Sequence, residues 1–281
     1  MRCGLKQDNK PGILLLHGYP LDNRMWSEQV RELKERFSVF QPNFPGFGGI
    51  GQSASDLYVE GVPRSANLVP ETNDWSTVAD LTDWLATAIH GLASKEGLSA
   101  KWIVCGLSMG GYVALEFWNR HRDLVAGLVL SNTKASTDDA NGVANRQAVI
   151  EQAQSAGNAS VTLPMLSKLL FGESIETNPD LVEYVQAMML GVPVETLVRS
   201  QQAMLSRKCF SNVLNSLDIP TLVLAASHDL ITPVTVMESM AASIPQSEFK
   251  VIENAGHLAP MENPRDWNAA FLLFATKLSR L

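Results

Sequence analysis

Ser108 stands at the centre of the G-x-S-x-G motif Gly106–Gly110 (GLSMG), between two segments of different periodicity. The apolar run Trp102–Cys105 is typical of a buried strand, and apolar residues between Val113 and Phe117 are spaced for one face of a helix. A strand, sharp turn and helix around this motif would present the serine hydroxyl clear of a sheet, where a base can activate it as a nucleophile. The alternative is a glycine-containing turn with an incidental serine, because short motifs also occur by chance.

Other candidate side chains follow the remaining apolar runs. Such runs, alternating with helical patterns, predict an α/β fold whose mostly parallel sheet has helices on both faces. In such a sheet, ligands bind beyond the carboxyl ends of the strands. We therefore expect His17–Tyr19, Ser108, Asp229 and His257 to meet at one edge. The apolar runs that precede these four groups are Ile13–Leu16, Trp102–Cys105, Ile219–Ala225 and Phe249–Ile252, and Val125–Leu130 is a further strand.

Composition limits the classes of function. The 281 residues suffice for one large domain with a lid, and 46% hydrophobic with 18% charged residues indicates a folded core. A net charge of −7 without a Lys/Arg cluster argues against a nucleic-acid partner. The cysteines Cys3, Cys105 and Cys209 are too scattered for a disulfide framework or a metal site, and Cys105 is expected to be an inert core residue. Without a leader-like or membrane-length apolar run, we expect a soluble, cytoplasmic protein with no membrane partner.

Two stretches interrupt the alternation of strands and helices. Gly51–Asn73 mixes glycine, serine and proline with acidic residues, which indicates a long surface loop that either rims a site or is merely tolerated. Thr133 to about Asn215 lacks convincing strands and contains four amphipathic pieces. Methionines along these pieces, such as Met165, Met188 and Met204, indicate either ordinary helix packing or an adaptable apolar wall over a substrate pocket. The four pieces are Gly142–Ala156, Thr162–Leu170, Pro179–Leu190 and Val194–Leu205.

Five motifs in one order give the chain a family resemblance. They are HGYP at His17–Pro20, FPGFG at Phe44–Gly48, GLSMGG at Gly106–Gly111, SHDLITP at Ser227–Pro233 and AGHLAPMENP at Ala255–Pro264. With these motifs the chain resembles an α/β-hydrolase, particularly the bacterial esterase and enol-lactonase-like branch with a helical cap. The resemblance implies a core formed by 1–132 and 216–281. It also implies a helical lid at 133–215, inserted after the strand that is sixth in the family's numbering.

The same resemblance assigns roles to the matching residues. It implies that Ser108 is the nucleophile, that His257 is the general base and that Asp229 orients and stabilises the imidazole. The backbone N–H groups of Tyr19 and Met109 would form the oxyanion hole. No metal or organic cofactor is implied.

Each role has rivals in the sequence. His228 adjoins Asp229 but would point to the opposite side of an extended segment, so a structural role is expected. His17 is expected to fix the oxyanion loop through local hydrogen bonds. His90 and His121 lie near helix C-termini, where a solvated or dipole-compensating role is the default. Asn132 follows a strand but cannot carry the negative charge that the acid role requires.

The preferred interpretation is a lid-bearing serine hydrolase that acts on a small carboxylic ester or lactone through an acyl-enzyme. A serine at position 108 argues against the dehalogenase and epoxide-hydrolase branches, which carry an aspartate there. Hydrolysis of a carbon–carbon bond in a β-diketone-like substrate is the alternative within enzymes. A non-catalytic ligand-binding receptor with this fold is the alternative from another class. The substrate and the oligomeric state stay open.

Overall fold

The computed structural model describes residues 11–48, 75–96 and 101–279. The predicted loop Gly51–Asn73 and Cys3 lie outside these ranges. Six strands are present in the described part: β1 Gly12–Leu16, β2 Val39–Phe40, β3 Trp102–Leu107, β4 Val125–Ser131, β5 Thr221–Ala226 and β6 Ser247–Ile252. The α-helices there are α1 Ser27–Leu33, α2 Val78–Glu96, α3 Met109–Arg120, α4 Ala140–Ala156, α5 Leu166–Leu169, α6 Gly172–Thr177, α7 Pro179–Leu190, α8 Val194–Leu205, α9 Val234–Ala242, α10 Ala259–Glu262 and α11 Pro264–Leu278.

The six strands form one sheet in the order β2-β1-β3-β4-β5-β6, and every neighbouring pair is parallel. The predicted mostly parallel α/β sheet is therefore confirmed. Because all the strands run the same way, the residues that follow β1, β3, β4, β5 and β6 reach the same edge. This edge receives every candidate side chain predicted from the sequence.

Both faces of the sheet are covered. Successive strand residues point to opposite faces, so Leu14 and Val104 pack in one apolar cluster while Ile13 and Ile103 pack in the other. All four side chains are fully buried, which explains why these strands are continuous apolar runs in the sequence. Cys105 belongs to the second cluster, and burial raises the pKa of its thiol well above the ordinary value. Its predicted character as an inert core residue is consistent with this environment.

Local side chains set the starts of two helices. After β1 the chain forms a 3-10 turn, Asn23–Trp26, in which Asp22 accepts a hydrogen bond from the Arg24 N–H, and α1 follows this turn. The helix α2 starts after Thr77, whose hydroxyl accepts from the Asp80 N–H while Asp80 accepts from the Thr77 N–H. These two reciprocal hydrogen bonds have the arrangement of a capping box.

The segment between β4 and β5, all of which the structure describes, has only helices as regular secondary structure. It contains α4 to α8 and two 3-10 turns, Ala159–Met165 and Ser211–Ser216. Within it Met188 and Met189 are completely buried in a core cluster, which agrees with ordinary helix packing. In the described ranges no single helix has the length and apolar character to cross a membrane. Among the described helices, the pair α7 and α8 has the required length and apolar composition when the two are taken together, and they are bent by 90° relative to each other.

Candidate active site

Ser108 occupies the sharp turn between β3 and α3. Its backbone has φ 54° and ψ −113°, a conformation that costs a non-glycine residue about 1–3 kcal/mol and persists only where the surroundings impose it. Those surroundings are hydrogen bonds: the Ser108 N–H donates to the Ser131 carbonyl over 3.2 Å, and the Ser108 carbonyl accepts from the Gly111 N–H and the Thr133 hydroxyl. The side chain is only partly buried, so a substrate can reach it.

The glycines of the motif allow this turn. A Cβ at Gly106 would collide with the Gly110 carbonyl, and a Cβ at Gly110 would collide with the Leu16 carbonyl at the end of β1. The start of α3 therefore packs directly on the ends of two strands. Only residues without a side chain permit this distance, which is the physical reason for the motif's spacing.

Asp229 and His257 are in direct contact. The Asp229 Oδ2 atom lies 2.8 Å from the His257 Nδ1 atom, and both side chains are almost completely buried. The Asp229 carboxylate accepts further hydrogen bonds from the N–H groups of Ile231 and Thr232, the Thr232 hydroxyl and the Asn132 amide. Burial alone would raise the pKa of Asp229, but His257 and these donors outweigh it and hold the pKa well below its usual range. The pair therefore combines an ionised carboxylate with an oriented imidazole.

Ser108 and this pair occupy the same edge of the sheet. Ser108 follows β3, Asn132 follows β4 and Asp229 follows β5, and these three strands are neighbours. Residues 131 and 132 connect the loop of Asp229 to the turn of Ser108. The Asn132 amide donates to Asp229, and the carbonyl of the adjacent Ser131 accepts from the Ser108 N–H. Within the described ranges the Ser108 hydroxyl makes no hydrogen bond to another side chain.

The loop after β1 lies beside the serine. A Cβ placed on Gly18 would be 3.5 Å from the Ser108 Cβ and 2.9 Å from the Leu107 side chain. The neighbouring Tyr19 is therefore next to the turn. Met109 is the first residue of α3, and the first N–H groups of a helix have no acceptor within the helix. The Met109 N–H is thus available to a ligand.

His17 braces this loop. Its Nδ1 atom is 3.1 Å from the Gly18 carbonyl, and its Nε2 atom accepts a hydrogen bond from the Phe44 N–H. This pattern requires the neutral tautomer with the proton on Nδ1. Burial lowers the pKa of His17 to about 4, which keeps the ring neutral. The geometry agrees with the expected structural role of His17 and connects the HGYP and FPGFG motifs.

The other histidine rivals lie elsewhere. The His228 ring stacks on Phe171 with centroids 3.8 Å apart, so it packs against the helical segment. His121 lies 2.9 Å from Asp83 on the outer surface, and His90 is exposed on α2. None of these contacts joins the Asp229–His257 pair.

In the sequence Asn132 was only a rival for the acid, whereas in the structure it is a partner of Asp229. The roles of Thr232 and of the Glu262 carboxylate were not predicted either. An asparagine directly after a buried strand is the sequence signal that could have found the first, since asparagine tolerates a positive φ such as the 46° of Asn132. Thr232 and Glu262 lie inside the motifs around Asp229 and His257, but their partners are set by tertiary contacts.

A polar cluster adjoins the loop after β1. The Tyr19 hydroxyl is buried beside the Gln201 side chain and the Arg146 guanidinium, yet neither meets it at hydrogen-bonding geometry. Burial raises the pKa of Tyr19 to about 12, against the opposing influence of these two neighbours. Arg146 also binds Asp138, which Lys134 and Arg207 contact as well. The phenol of Tyr19 is therefore neutral and packs against α4 and α8.

Comparison with known proteins agrees with this architecture. A family model described as alpha/beta hydrolase fold matches residues 11–264. The structure of a thermophilic esterase from Thermogutta terrifontis, with malate bound, is 34% identical with a TM-score of 0.81, and the match covers 96% of this chain and 92% of the esterase. The enol-lactonase of Burkholderia xenovorans LB400 has a TM-score of 0.77 at 21% identity, covering 97% and 94% of the two chains. The 3-oxoadipate enol-lactonase 1 of Acinetobacter baylyi is 23% identical over 271 residues, covering 96% of this chain and 91% of the relative.

Proposed function

This chain belongs to the alpha/beta hydrolase fold family, in the branch with bacterial esterases and enol-lactonases, and on that premise we propose that it hydrolyses a small carboxylic ester or lactone. The observation that carries the proposal is the buried contact of 2.8 Å between Asp229 and His257 at the sheet edge where Ser108 lies, partly buried, on its turn. The named activities of the 34% identical esterase and the enol-lactonases support the same chemistry.

In the proposed mechanism Ser108 attacks the substrate carbonyl while His257 Nε2 takes its proton. Asp229 holds the imidazole with its proton on Nδ1 and stabilises the imidazolium that forms. In the structure the Ser108 hydroxyl makes no hydrogen bond to His257. Catalytic hydrogen bonds of this kind commonly form or tighten only when substrate is bound. His257 then delivers the proton to the departing alcohol, leaving an acyl group on Ser108. Water activated by His257 attacks this acyl-enzyme and releases the acid.

The negative oxygen of each tetrahedral intermediate needs donors beside Ser108. We assign this role to the N–H groups of Met109 and Tyr19. The start of α3 also favours negative charge at this point through its aligned peptide dipoles. Loss of one such donor in a hydrolase costs about 3 kcal/mol of transition-state stabilisation. The side chain of Tyr19 is not part of this function, since only its amide is used.

We further propose that residues 133–215 act as the cap of a core formed by 1–132 and 216–281. Two contacts of α8 support this arrangement. The Thr196 hydroxyl contacts the Gly46 carbonyl within the FPGFG turn, and Arg199 donates to the Trp75 carbonyl. The helix α8 therefore lies over loops at the carboxyl edge of the sheet, where a cap restricts access and selects substrates.

The direct test is hydrolysis of p-nitrophenyl acetate and butyrate by wild type, Ser108→Ala and Ser239→Ala. Ser239 is an exposed serine on α9, so its variant controls for the substitution itself. We expect loss of activity only in Ser108→Ala, with unchanged melting temperature. Equal turnover by wild type and Ser108→Ala would refute the assignment. Product analysis with an enol lactone and a vinylogous diketone separates ester or lactone hydrolysis from carbon–carbon bond hydrolysis.

A further inference from the structure

Glu262, at the end of α10, holds the loop that carries His257. Its Oε1 atom accepts a hydrogen bond of 2.9 Å from the Gly256 N–H, immediately before His257. Its Oε2 atom accepts a bond of 2.7 Å from the Phe171 N–H, which belongs to the helical segment 133–215. One carboxylate therefore joins the main chain beside His257 to the main chain of this segment.

The two main chains are also in direct contact. The Leu258 N–H, immediately after His257, donates to the Leu169 carbonyl over 3.1 Å. A Cβ on Gly256 would lie 2.6 Å from the Phe171 nitrogen, so only glycine permits this approach. Residues 169–171 thus contact the chain on both sides of His257. We call residues 169–171 the brace.

The brace reaches the loop of the acid as well. The Phe171 ring stacks on the His228 ring with an interplanar angle of 16°, and His228 directly precedes Asp229. Through Phe171 the brace therefore contacts the loop of Asp229 as well as that of His257. Movement of the brace would change the relative position of these two side chains, which meet at 2.8 Å.

The partners of Glu262 are donors of hydrogen bonds. Its two oxygens accept from the Gly256 and Phe171 N–H groups, and within the described residues it has no ion pair. Burial is the largest influence and raises the pKa of Glu262. A partly buried carboxylate satisfied by main-chain N–H groups from two segments is suited to fixing geometry. A surface carboxylate would be solvated and would hold neither segment.

We infer that Glu262 is a positioning residue, which couples the brace of the cap to His257 and so sets the alignment of the base for the hydrolysis proposed above. The inference rests on that proposed function for its catalytic consequence. Its structural part, the joining of 169–171 to 256–258, stands on the contacts alone. The two parts can therefore be tested separately.

The test compares wild type with Glu262→Gln, using Glu253→Gln as the matched control. Glutamine keeps one carbonyl acceptor but places an NH₂ group against a backbone N–H, so one of the two bonds is lost. Glu253 is an exposed carboxylate in the same loop. A second variant, Gly256→Ala, retains the carboxylate and forces the two main chains apart.

Active sites are first counted by titration with a fluorophosphonate, and kcat is expressed per titrated site. We expect kcat to fall about 10- to 100-fold in Glu262→Gln and Gly256→Ala, because a displacement of about 1 Å at a catalytic group has effects of this size. KM should change much less, since substrate binding is not the interaction lost. Glu253→Gln should match wild type. A merely structural role would lower the number of titrated sites and leave kcat per site intact, and that result would overturn the inference.

Hydrogen exchange provides the readout that does not depend on activity. Amides of 256–258 and 171–174 should exchange faster in Glu262→Gln than in wild type and Glu253→Gln. Unchanged exchange would overturn the inference. If Ser108→Ala were as active as wild type, the proposed function would fail, while the exchange experiment would still decide whether Glu262 joins the two segments.

Discussion

The Asp229 Oδ2 atom lies 2.8 Å from the His257 Nδ1 atom, although 28 residues and a complete helix and strand separate the two along the chain. The contact is buried, and the carboxylate accepts four further hydrogen bonds from Asn132, Ile231 and Thr232. These donors hold the carboxylate in its ionised form and in one orientation. Asp229 therefore imposes both the tautomer and the direction of the His257 ring.

Asp229→Asn should abolish most of the activity and leave the fold intact. An amide in this place no longer stabilises the imidazolium and favours the wrong tautomer, and the corresponding change in a serine protease lowers kcat about 10⁴-fold. The measurement is kcat for p-nitrophenyl butyrate, with the melting temperature as a check of folding. Asp123→Asn, which changes an exposed aspartate, is the control. A decrease of less than about tenfold would argue against Asp229 as the acid.

His17 should make stability depend on pH. Its pKa is lowered to about 4 in the folded protein, against about 6.5 in an unfolded chain. Between these values the unfolded chain binds a proton that the folded protein does not, so stability falls as the pH drops from about 6.5 to about 4. Urea unfolding at pH 7, 5.5 and 4.5 measures this slope.

His17→Gln removes the titrating ring and should reduce the slope in that pH window, whatever its effect on stability at pH 7. His90→Gln changes an exposed histidine and should leave the slope as in wild type. An unchanged slope in His17→Gln would show that His17 is not the buried neutral group described here.

Asp138→Asn should lower the free energy of unfolding, because Asp138 lies at the start of the helical segment and binds three cations there. The carboxylate binds Arg207, Arg146 and Lys134 at 2.6–2.9 Å, and the side chains of Asp138 and Arg207 are only 6% and 3% exposed. Loss of the charge leaves Arg207 buried without its anion, which costs about 3–5 kcal/mol for a buried pair. Chemical denaturation at pH 7 measures the free energy of unfolding.

The adjacent Asp139 supplies the matched control. It caps α4 by accepting from the Gly142 N–H, and asparagine is an equally good cap. Asp139→Asn should therefore change stability little. Burial opposes the charge of Asp138, but the three cations outweigh it and lower the pKa. The contribution of this charge to stability is therefore fully present above the unfolded value of about 3.9 and is lost progressively as the pH falls from there through the lower folded value. Equal effects of the two substitutions would contradict the buried cluster.

The sheet was predictable because its central strands are almost completely buried. Runs such as Ile13–Leu16 and Trp102–Cys105 have no exposed face, so burial leaves a continuous apolar signal in the sequence. The order of the strands and the positions of Ser108, Asp229 and His257 after them then place these residues at one edge. Local motifs thus contain much of the candidate site.

Contacts between distant segments were not predictable in the same way. Nothing near Glu262 in the sequence indicates that its carboxylate binds the Phe171 N–H, 91 residues earlier. Asn132 likewise contacts Asp229 across the sheet. Such partners depend on how the helical segment packs on the core, and that packing involves amphipathic helices whose apolar faces fit many arrangements. The start of α2 is by contrast set locally, since Thr77 and Asp80 cap each other.

Covalent labelling with a fluorophosphonate, followed by peptide mass spectrometry, shows whether Ser108 is the nucleophile. We predict that the folded wild-type protein gains one phosphonyl group on the peptide that contains Ser108, that Ser108→Ala gains none, and that His257→Ala reacts far more slowly. A folded wild-type protein that stays unlabelled at Ser108, or that carries the label on another residue, would contradict the account.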